Sequence, residues 1–260
     1  MATQTREDFS AGKDRLFAIK GGGGKPLLVL HEGLGHPGWL GWHETLSRRR
    51  TLLIPLHPGF GQTPRVEWVM NVRDLACFYA RFLRDQRLTP IDVIGFSFGG
   101  WLAAEMAAND PHLFRRMTLV APMGIRPPKG EIMDMFTLTA RAYLQKTVLD
   151  AARTAEFSHL YGGSETPEQF EAFEEARAEA ARIAWQPYMF NPSLPHLLEG
   201  AEVPALLVWG RQDTVVPVSA ADVYRRALRD SRLVVFDGCG HRPEIEKPGE
   251  FTNQVEAFLA

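Results

Sequence analysis

Gly95-Phe96-Ser97-Phe98-Gly99 sets a serine between two glycines, at the end of the apolar run Ile91–Phe96 and the start of an alanine-rich stretch reaching Ala108. A serine hydroxyl is a weak nucleophile until a base takes its proton, and the base, a histidine, needs a carboxylate to hold its tautomer. Asp213 follows the apolar run 205–209 through Gly210-Arg211-Gln212, and His241 follows 233–236 through Asp237-Gly238-Cys239-Gly240. All three candidates therefore sit just past the carboxyl end of an expected strand. The pentapeptide alone would arise by chance on the order of once in ten chains of this length. Set between strand and helix it reads as a nucleophile elbow, a turn so sharp that only small flanking residues let strand and helix approach. The helix that follows would aim its first N–H groups, Phe98 foremost, at negative charge developing on a substrate oxygen.

Other residues compete for these roles. Glu105, Glu244 and Glu246 are read as structural acids, and Asp237 precedes the turn that ends in His241, so Asp213 is the better partner. His31-Glu32 with His36 looks superficially like a zinc pair, but the two histidines are five positions apart across Gly33 and Gly35 and cannot share a helix face at i and i+4. Neither a metal nor a cofactor is expected. Cys239 reads as a small packing residue.

The elements that must position this chemistry follow from periodicity. Continuous apolar runs at 26–30, 51–56, 91–96, 117–121, 204–209 and 233–236 read as buried parallel strands. Between them lie helical stripes, such as Val72, Leu75, Ala76, Tyr79, Phe82 and Leu83. The alternation predicts a doubly wound α/β sheet with its ligand site at the carboxyl ends of the strands. Arg48-Arg49-Arg50 and Arg115-Arg116 are read as solvated strand starts. The alternation lapses after Gly124 and resumes near Val203, which predicts an insertion. It opens at Pro127-Pro128-Lys129-Gly130 and closes at Asn191-Pro192-Ser193-Leu194-Pro195. Inside it, Glu165 to Trp185 carries Phe170, Phe173, Ala176, Ala180, Ile183 and Ala184 on one stripe, its glutamates read as a wet face.

The whole set of motifs resembles the α/β-hydrolase superfamily. It comprises Leu30-His31-Glu32-Gly33, His57-Pro58-Gly59-Phe60-Gly61-Gln62, the serine pentapeptide with Gly100, Trp209-Gly210-Arg211-Gln212-Asp213, and Gly238-Cys239-Gly240-His241-Arg242-Pro243-Glu244. The chain order Ser97, Asp213, His241 is that of the superfamily. The resemblance implies the α/β-hydrolase fold, class α/β: a mostly parallel central sheet flanked by helices, with a helical cap inserted after the sixth strand. The core would span 1–123 and 200–260 and the cap, or lid, 124–199. Where many relatives read His-Gly-x, this chain has His31-Glu32-Gly33, which puts the second oxyanion N–H on Gly33 rather than Leu34. His31 is read as organising that loop by hydrogen bonding. The side chain of Glu32 could intrude on the site, and His57 stands where relatives often carry aspartate. Phe96, Met123, Leu34 and Trp185 are the substrate-lining candidates. Trp39, Trp42, Trp101, Met133, Met135, Phe136, Tyr143, Tyr188, Met189 and Phe190 are further apolar ones, about half of them expected to face the pocket.

Composition removes other classes. Among 260 residues, 29 Lys and Arg balance 31 Asp and Glu, with no long run of one sign, which argues against a nucleic-acid partner. Only Cys77 and Cys239 are present, without redox or zinc spacing. No apolar stretch approaches a membrane span, and the first ten residues carry Arg6, Glu7 and Asp8 without an apolar core, so a cytoplasmic protein is expected. A homodimer is compatible with the sequence.

The expected activity is a serine hydrolase that cleaves a small or medium apolar carboxylic ester or lactone through an acyl-enzyme. Two alternatives keep the fold. One is hydrolysis of a carbon–carbon bond in a ring-cleavage product, for which Arg126 or Arg182 would have to meet the substrate carboxylate. The other is a low-turnover small-molecule sensor. The superfamily also contains perhydrolases and cofactor-free oxygenases.

Overall fold

In the computed structural model, which describes residues 4–157, 166–186 and 188–260, each apolar run forms a strand of one sheet. The strands are β1 (Gln4–Ala11), β2 (Asp14–Gly22), β3 (Lys25–Leu30), β4 (Arg50–Pro55), β5 (Ile91–Phe96), β6 (Phe114–Val120), β7 (Ala205–Gly210) and β8 (Ser231–Phe236). Their order across the sheet is β1-β2-β4-β3-β5-β6-β7-β8. β1 and β2 form an antiparallel hairpin, β2 runs antiparallel to β4, and every other pairing is parallel. All six residues of β5 and of β7 are buried, as expected of strands covered by helices on both faces.

The helices preceding β6 are α1 (Gly41–Ser47), α2 (Val72–Asp85) and α3 (Phe98–Asn109). α4 (Ala140–Thr147), α5 (Pro167–Ala184) and α6 (Leu194–Leu198) lie between β6 and β7, and α7 (Ser219–Ala227) lies between β7 and β8. α8 (Pro243–Glu246) and α9 (Pro248–Leu259) close the chain. α2 starts where the Asn71 side chain accepts from the Asp74 N–H, and it buries all six positions of the stripe read from its sequence. α3 has no polar face. It is buried from Phe98 to Ala107, held between the sheet, α2 and α6. Among the described residues no helix is long and apolar enough to cross a membrane.

The register makes the strands end in step: Leu30 lies opposite Gly95, Phe96 opposite Val120, Val120 opposite Val208, and Gly210 opposite Phe236. The loops after β3, β5, β7 and β8 therefore emerge along one sheet edge. The two ends of the insertion are stitched together there, Gly124 N–H donating to the Met189 carbonyl (3.0 Å) and Asn191 N–H to the Gly124 carbonyl (2.9 Å). α6 packs against α3 and α7, while α4 and α5 pack against each other.

Three features depart from the sequence reading. The β1–β2 hairpin was not anticipated. β1 is mostly exposed and polar, and its cross-strand pairs include Glu7 with Lys20 and Asp8 with Arg15, so no apolar run announces it. Of the arginines at the strand starts, Arg48 and Arg49 are exposed as read, but Arg50 (2.7 Å) and Arg115 (2.6 Å) also clamp Asp92, a fully buried carboxylate in β5. A buried charge must be paired. Finally, Glu179 is not part of the wet face of α5. It is buried and pairs with Arg65 (2.8 Å) and Arg182. Glu165, the first residue of that expected stretch, lies outside the described residues.

Candidate active site

Ser97 ends β5 and begins α3 with φ +49° and ψ −109°, a left-handed conformation that a non-glycine residue holds only at a cost of about 1–3 kcal/mol. The flanking glycines make the turn possible: a Cβ on Gly95 would lie 2.4 Å from the Gly99 carbonyl oxygen, and one on Gly99 would lie 2.2 Å from that of Leu30. Backbone bonds hold the turn. Ser97 N–H donates to Val120 O, and Ser97 O accepts from Trp101 and Met123 N–H. Phe98 heads α3, so its N–H has no intrahelical partner.

Asp213, in the loop after β7, is fixed on both oxygens. Its Oδ1 accepts from the N–H groups of Val215 (2.8 Å) and Val216 (2.9 Å), and its Oδ2 accepts from His241 Nδ1 at 2.8 Å. His241 Nε2 in turn lies 2.9 Å from Ser97 Oγ, in place to accept its proton. The three side chains, distant in sequence, are all buried. Burial pulls the imidazole pKa down. The charge and hydrogen bond of Asp213 outweigh it, with Glu32 and Glu244 acting in the same direction, and the net displacement is upward. The competing acids have other partners: Glu105 accepts from Trp101 and Asn191, Glu246 from the N–H groups of Gly240 and Leu149, and Asp237 pairs with Arg211 at the surface.

The loop after β3 is organised by two neutral histidines. His31 Nδ1–H donates to the Glu32 carbonyl (2.7 Å), and its Nε2 accepts from the His57 N–H (3.0 Å). His57 Nε2–H donates to the His31 carbonyl (3.1 Å), and its Nδ1 accepts from the Tyr79 hydroxyl (2.6 Å). Every ring nitrogen is used by a neutral tautomer. Burial pushes His31 down to about 4 and His57 well below its usual value. His57 thus braces the His31 backbone. Glu32 does not intrude on the serine: its carboxylate turns to Arg242 (2.7 Å), which also binds Glu244 (2.9 Å), all three side chains buried.

The insertion covers this edge. Met135 and the Ala180 methyl group lie 3.5 Å from where a Cβ of Gly33 would be, and Tyr143 of α4 is buried, its phenol pushed upward by burial and by the charges of Glu32 and Asp213. Of the substrate-lining candidates, Met123 and Leu34 are buried beside the elbow and within the 31–35 loop. Phe96 instead packs between Trp42 and Phe251, lining a void of about 20 Å³ with His31 and Glu32. Trp185 is 51% exposed and lines a separate groove of about 750 Å³ with Arg73, Trp101 and Glu105. A further cavity of about 570 Å³ lies beside Thr214, between Ile132, Met133, Tyr188 and Phe190.

Residues 26–248 match the family model of the alpha/beta hydrolase fold. A 2-hydroxy-6-oxo-2,4-heptadienoate hydrolase of Pseudomonas putida is 29% identical over 92% of this chain and 90% of that protein. A monoacylglycerol lipase of Mus musculus is 26% identical over 92% of this chain and 76% of its own. Among solved structures, a 2-hydroxy-6-oxo-6-phenylhexa-2,4-dienoate hydrolase from Rhodococcus sp. strain RHA1 superposes with a TM-score of 0.78, covering 100% of this chain and 99% of the other at 19% identity, a likeness of fold.

Proposed function

Given that the chain belongs to the alpha/beta hydrolase fold family, we propose that it is a serine hydrolase of small or medium apolar carboxylic esters or lactones, with residues 124–199 as its cap. The observation that carries the proposal is the unbroken line from Asp213 Oδ2 through His241 to Ser97 Oγ, with contacts of 2.8 and 2.9 Å. Ser97 attacks the carbonyl carbon while His241 takes its proton. The N–H groups of Phe98 and Gly33 hold the oxyanion, each such donor supplying on the order of 3 kcal/mol. His241 returns the proton to the leaving alcohol, then activates the water that releases the acid, and Asp213 stabilises its charged form. The exposed thiol of Cys77 and the buried one of Cys239, both free, fit a reducing cytoplasmic setting.

A second reading is favoured by the relatives, two of which are named as dienoate and muconate semialdehyde hydrolases: cleavage of a carbon–carbon bond in a substrate that carries a carboxylate. The pairing of the candidate cations supports a neutral substrate. Arg242 is already held by Glu32 and Glu244, Arg182 by Glu179, and Arg126 shares its cavity with Glu131 and Asp134. The test is initial rates of wild type and Ser97→Ala on short and medium acyl esters, lactones and a dienol-ketone acid. Ester or lactone turnover abolished by Ser97→Ala supports the proposal. Preference for the dienol-ketone acid selects the second reading. Inactivity throughout, or a rate that survives Ser97→Ala, refutes both.

A further inference from the structure

We propose that Glu32 is a positioning residue: through Arg242 it ties the peptide that carries an oxyanion N–H to the residue next to the base, so that these two parts of the reaction centre keep one spacing. The inference rests on the serine-hydrolase reading above, with Gly33 as an oxyanion donor. That donor belongs to the Glu32–Gly33 peptide, and a planar trans peptide points its N–H opposite to its C=O. Whatever fixes the Glu32 carbonyl therefore aims the Gly33 N–H. Two donors hold that carbonyl, His31 Nδ1–H (2.7 Å) and Gly35 N–H (3.1 Å). Just upstream the loop adjoins the elbow, since a Cβ on Gly99 would lie 2.5 Å from the His31 carbonyl oxygen.

The two bonds to the carbonyl come from the loop itself and set how the peptide is turned. They do not set its distance from the base, which arrives on another loop from the far end of the chain. The Glu32 side chain supplies that second constraint. Its Oε1 accepts from Arg242 Nη1 (2.7 Å) across 210 positions, and Arg242 Nε donates to Glu244 Oε1 (2.9 Å). All three side chains are buried, so the contact is not shared with solvent, and a buried carboxylate must keep its partner. The guanidinium is a rigid planar fork, held here at both Nε and Nη1, so it fixes where the Glu32 carboxylate sits. Arg242 is bonded directly to His241, whose N–H donates to the Thr147 carbonyl (2.9 Å) and whose Nδ1 is held by Asp213 (2.8 Å). The oxyanion peptide and the base are thus linked by a buried path that passes through neither Ser97 nor a substrate.

The test measures kcat and KM on the ester or lactone that the wild type prefers, per Ser97 titrated to completion with a fluorophosphonate, for wild type, Glu32→Leu, Glu32→Gln and Arg242→Met, with Ser97→Ala as control. Glu32→Leu removes the tie, and misplacing one oxyanion donor should lower kcat about 10- to 100-fold with KM within about threefold. A trifluoromethyl ketone, whose oxygen takes the oxyanion position once Ser97 adds to it, should bind that variant more weakly by a similar factor. Glu32→Gln keeps an oxygen that accepts from Arg242 and should recover kcat to within about threefold of the wild type. Arg242→Met cuts the tie from its other end and should repeat the leucine result, which decides the matter should Glu32→Leu fail to fold. A residue that only stabilises the fold would reduce the number of titratable sites and leave kcat per site unchanged, and that result overturns the proposal. So does a glutamine variant as slow as the leucine one, which would assign the loss to the charge that Glu32 places near His241. Activity in Ser97→Ala overturns the serine mechanism and this role with it.

Discussion

Replacing Asp213 by asparagine is a severe test of the site because the structure dictates how the amide must sit. The Val215 and Val216 N–H groups both donate to Oδ1, so the amide oxygen must take that position and the NH₂ must face His241. Nδ1 of the imidazole then becomes an acceptor, its proton moves to Nε2, and the nitrogen facing Ser97 Oγ at 2.9 Å is no longer a base. An inverted tautomer of this kind costs about 10⁴-fold in kcat, about 5 kcal/mol of transition-state stabilisation. The pH profile gives a second readout. In the wild type, His241 must be neutral to accept a proton, and its upward displacement puts the acid limb of kcat/KM above pH 6.5. The asparagine variant loses the charge that raises the imidazole but keeps the burial that lowers it, so its limb moves to lower pH. Ester hydrolysis from pH 4 to 9, with a melting curve to show that the variant folds, reads both effects. A variant within tenfold of the wild type, or one whose acid limb stays in place, would refute the orienting role of Asp213.

Two further predictions concern stability. His31 is held neutral, with its ionisation pushed down to about 4, while the unfolded chain protonates near 6.5. Below pH 6.5 the unfolded state binds more protons, so stability falls with pH until the folded value is reached. At pH 5 this residue alone costs about 2 kcal/mol relative to pH 7, and His36, His43 and His57 act in the same direction. Urea titrations at the two pH values measure the difference, and equal midpoints would count against the neutral pair. Gly99→Ala forces a Cβ to 2.2 Å from the Leu30 carbonyl oxygen, with backbone on both sides of the contact. Strain of more than about 3 kcal/mol is expected, seen as loss of soluble protein or a melting temperature at least about 6 °C lower. An unperturbed melt would show that strand and helix can separate at the elbow.

What could be read from the sequence is what depends on neighbours along the chain. The runs at 91–96 and 204–209 are apolar on both faces because those strands are covered on both sides. The six-position stripe of Val72 to Leu83 is the buried face of α2, and Gly95 and Gly99 flank Ser97 because the turn leaves no room for a Cβ. The triad was legible for a related reason: a parallel sheet sends the loops after its strands to one edge, so three residues in those loops were candidates to meet.

The tertiary structure alone decided the pairings that no local pattern encodes. β1 has no apolar run and exists because β2 pairs with it. Arg242 reaches Glu32 across 210 positions and removes that carboxylate from the serine, and Arg50 and Arg115 turn from surface charges into the clamp on Asp92. The last turn of α4 docks on the His241 loop, the Thr147 carbonyl accepting from the His241 N–H across 94 positions. Trp185, at the end of the stretch that carries the apolar stripe, ends half-exposed in another groove. Periodicity and steric room are properties of a few consecutive residues and survive in the sequence. The partner of a buried charge or hydroxyl depends on which element packs against it, and only the folded chain decides that.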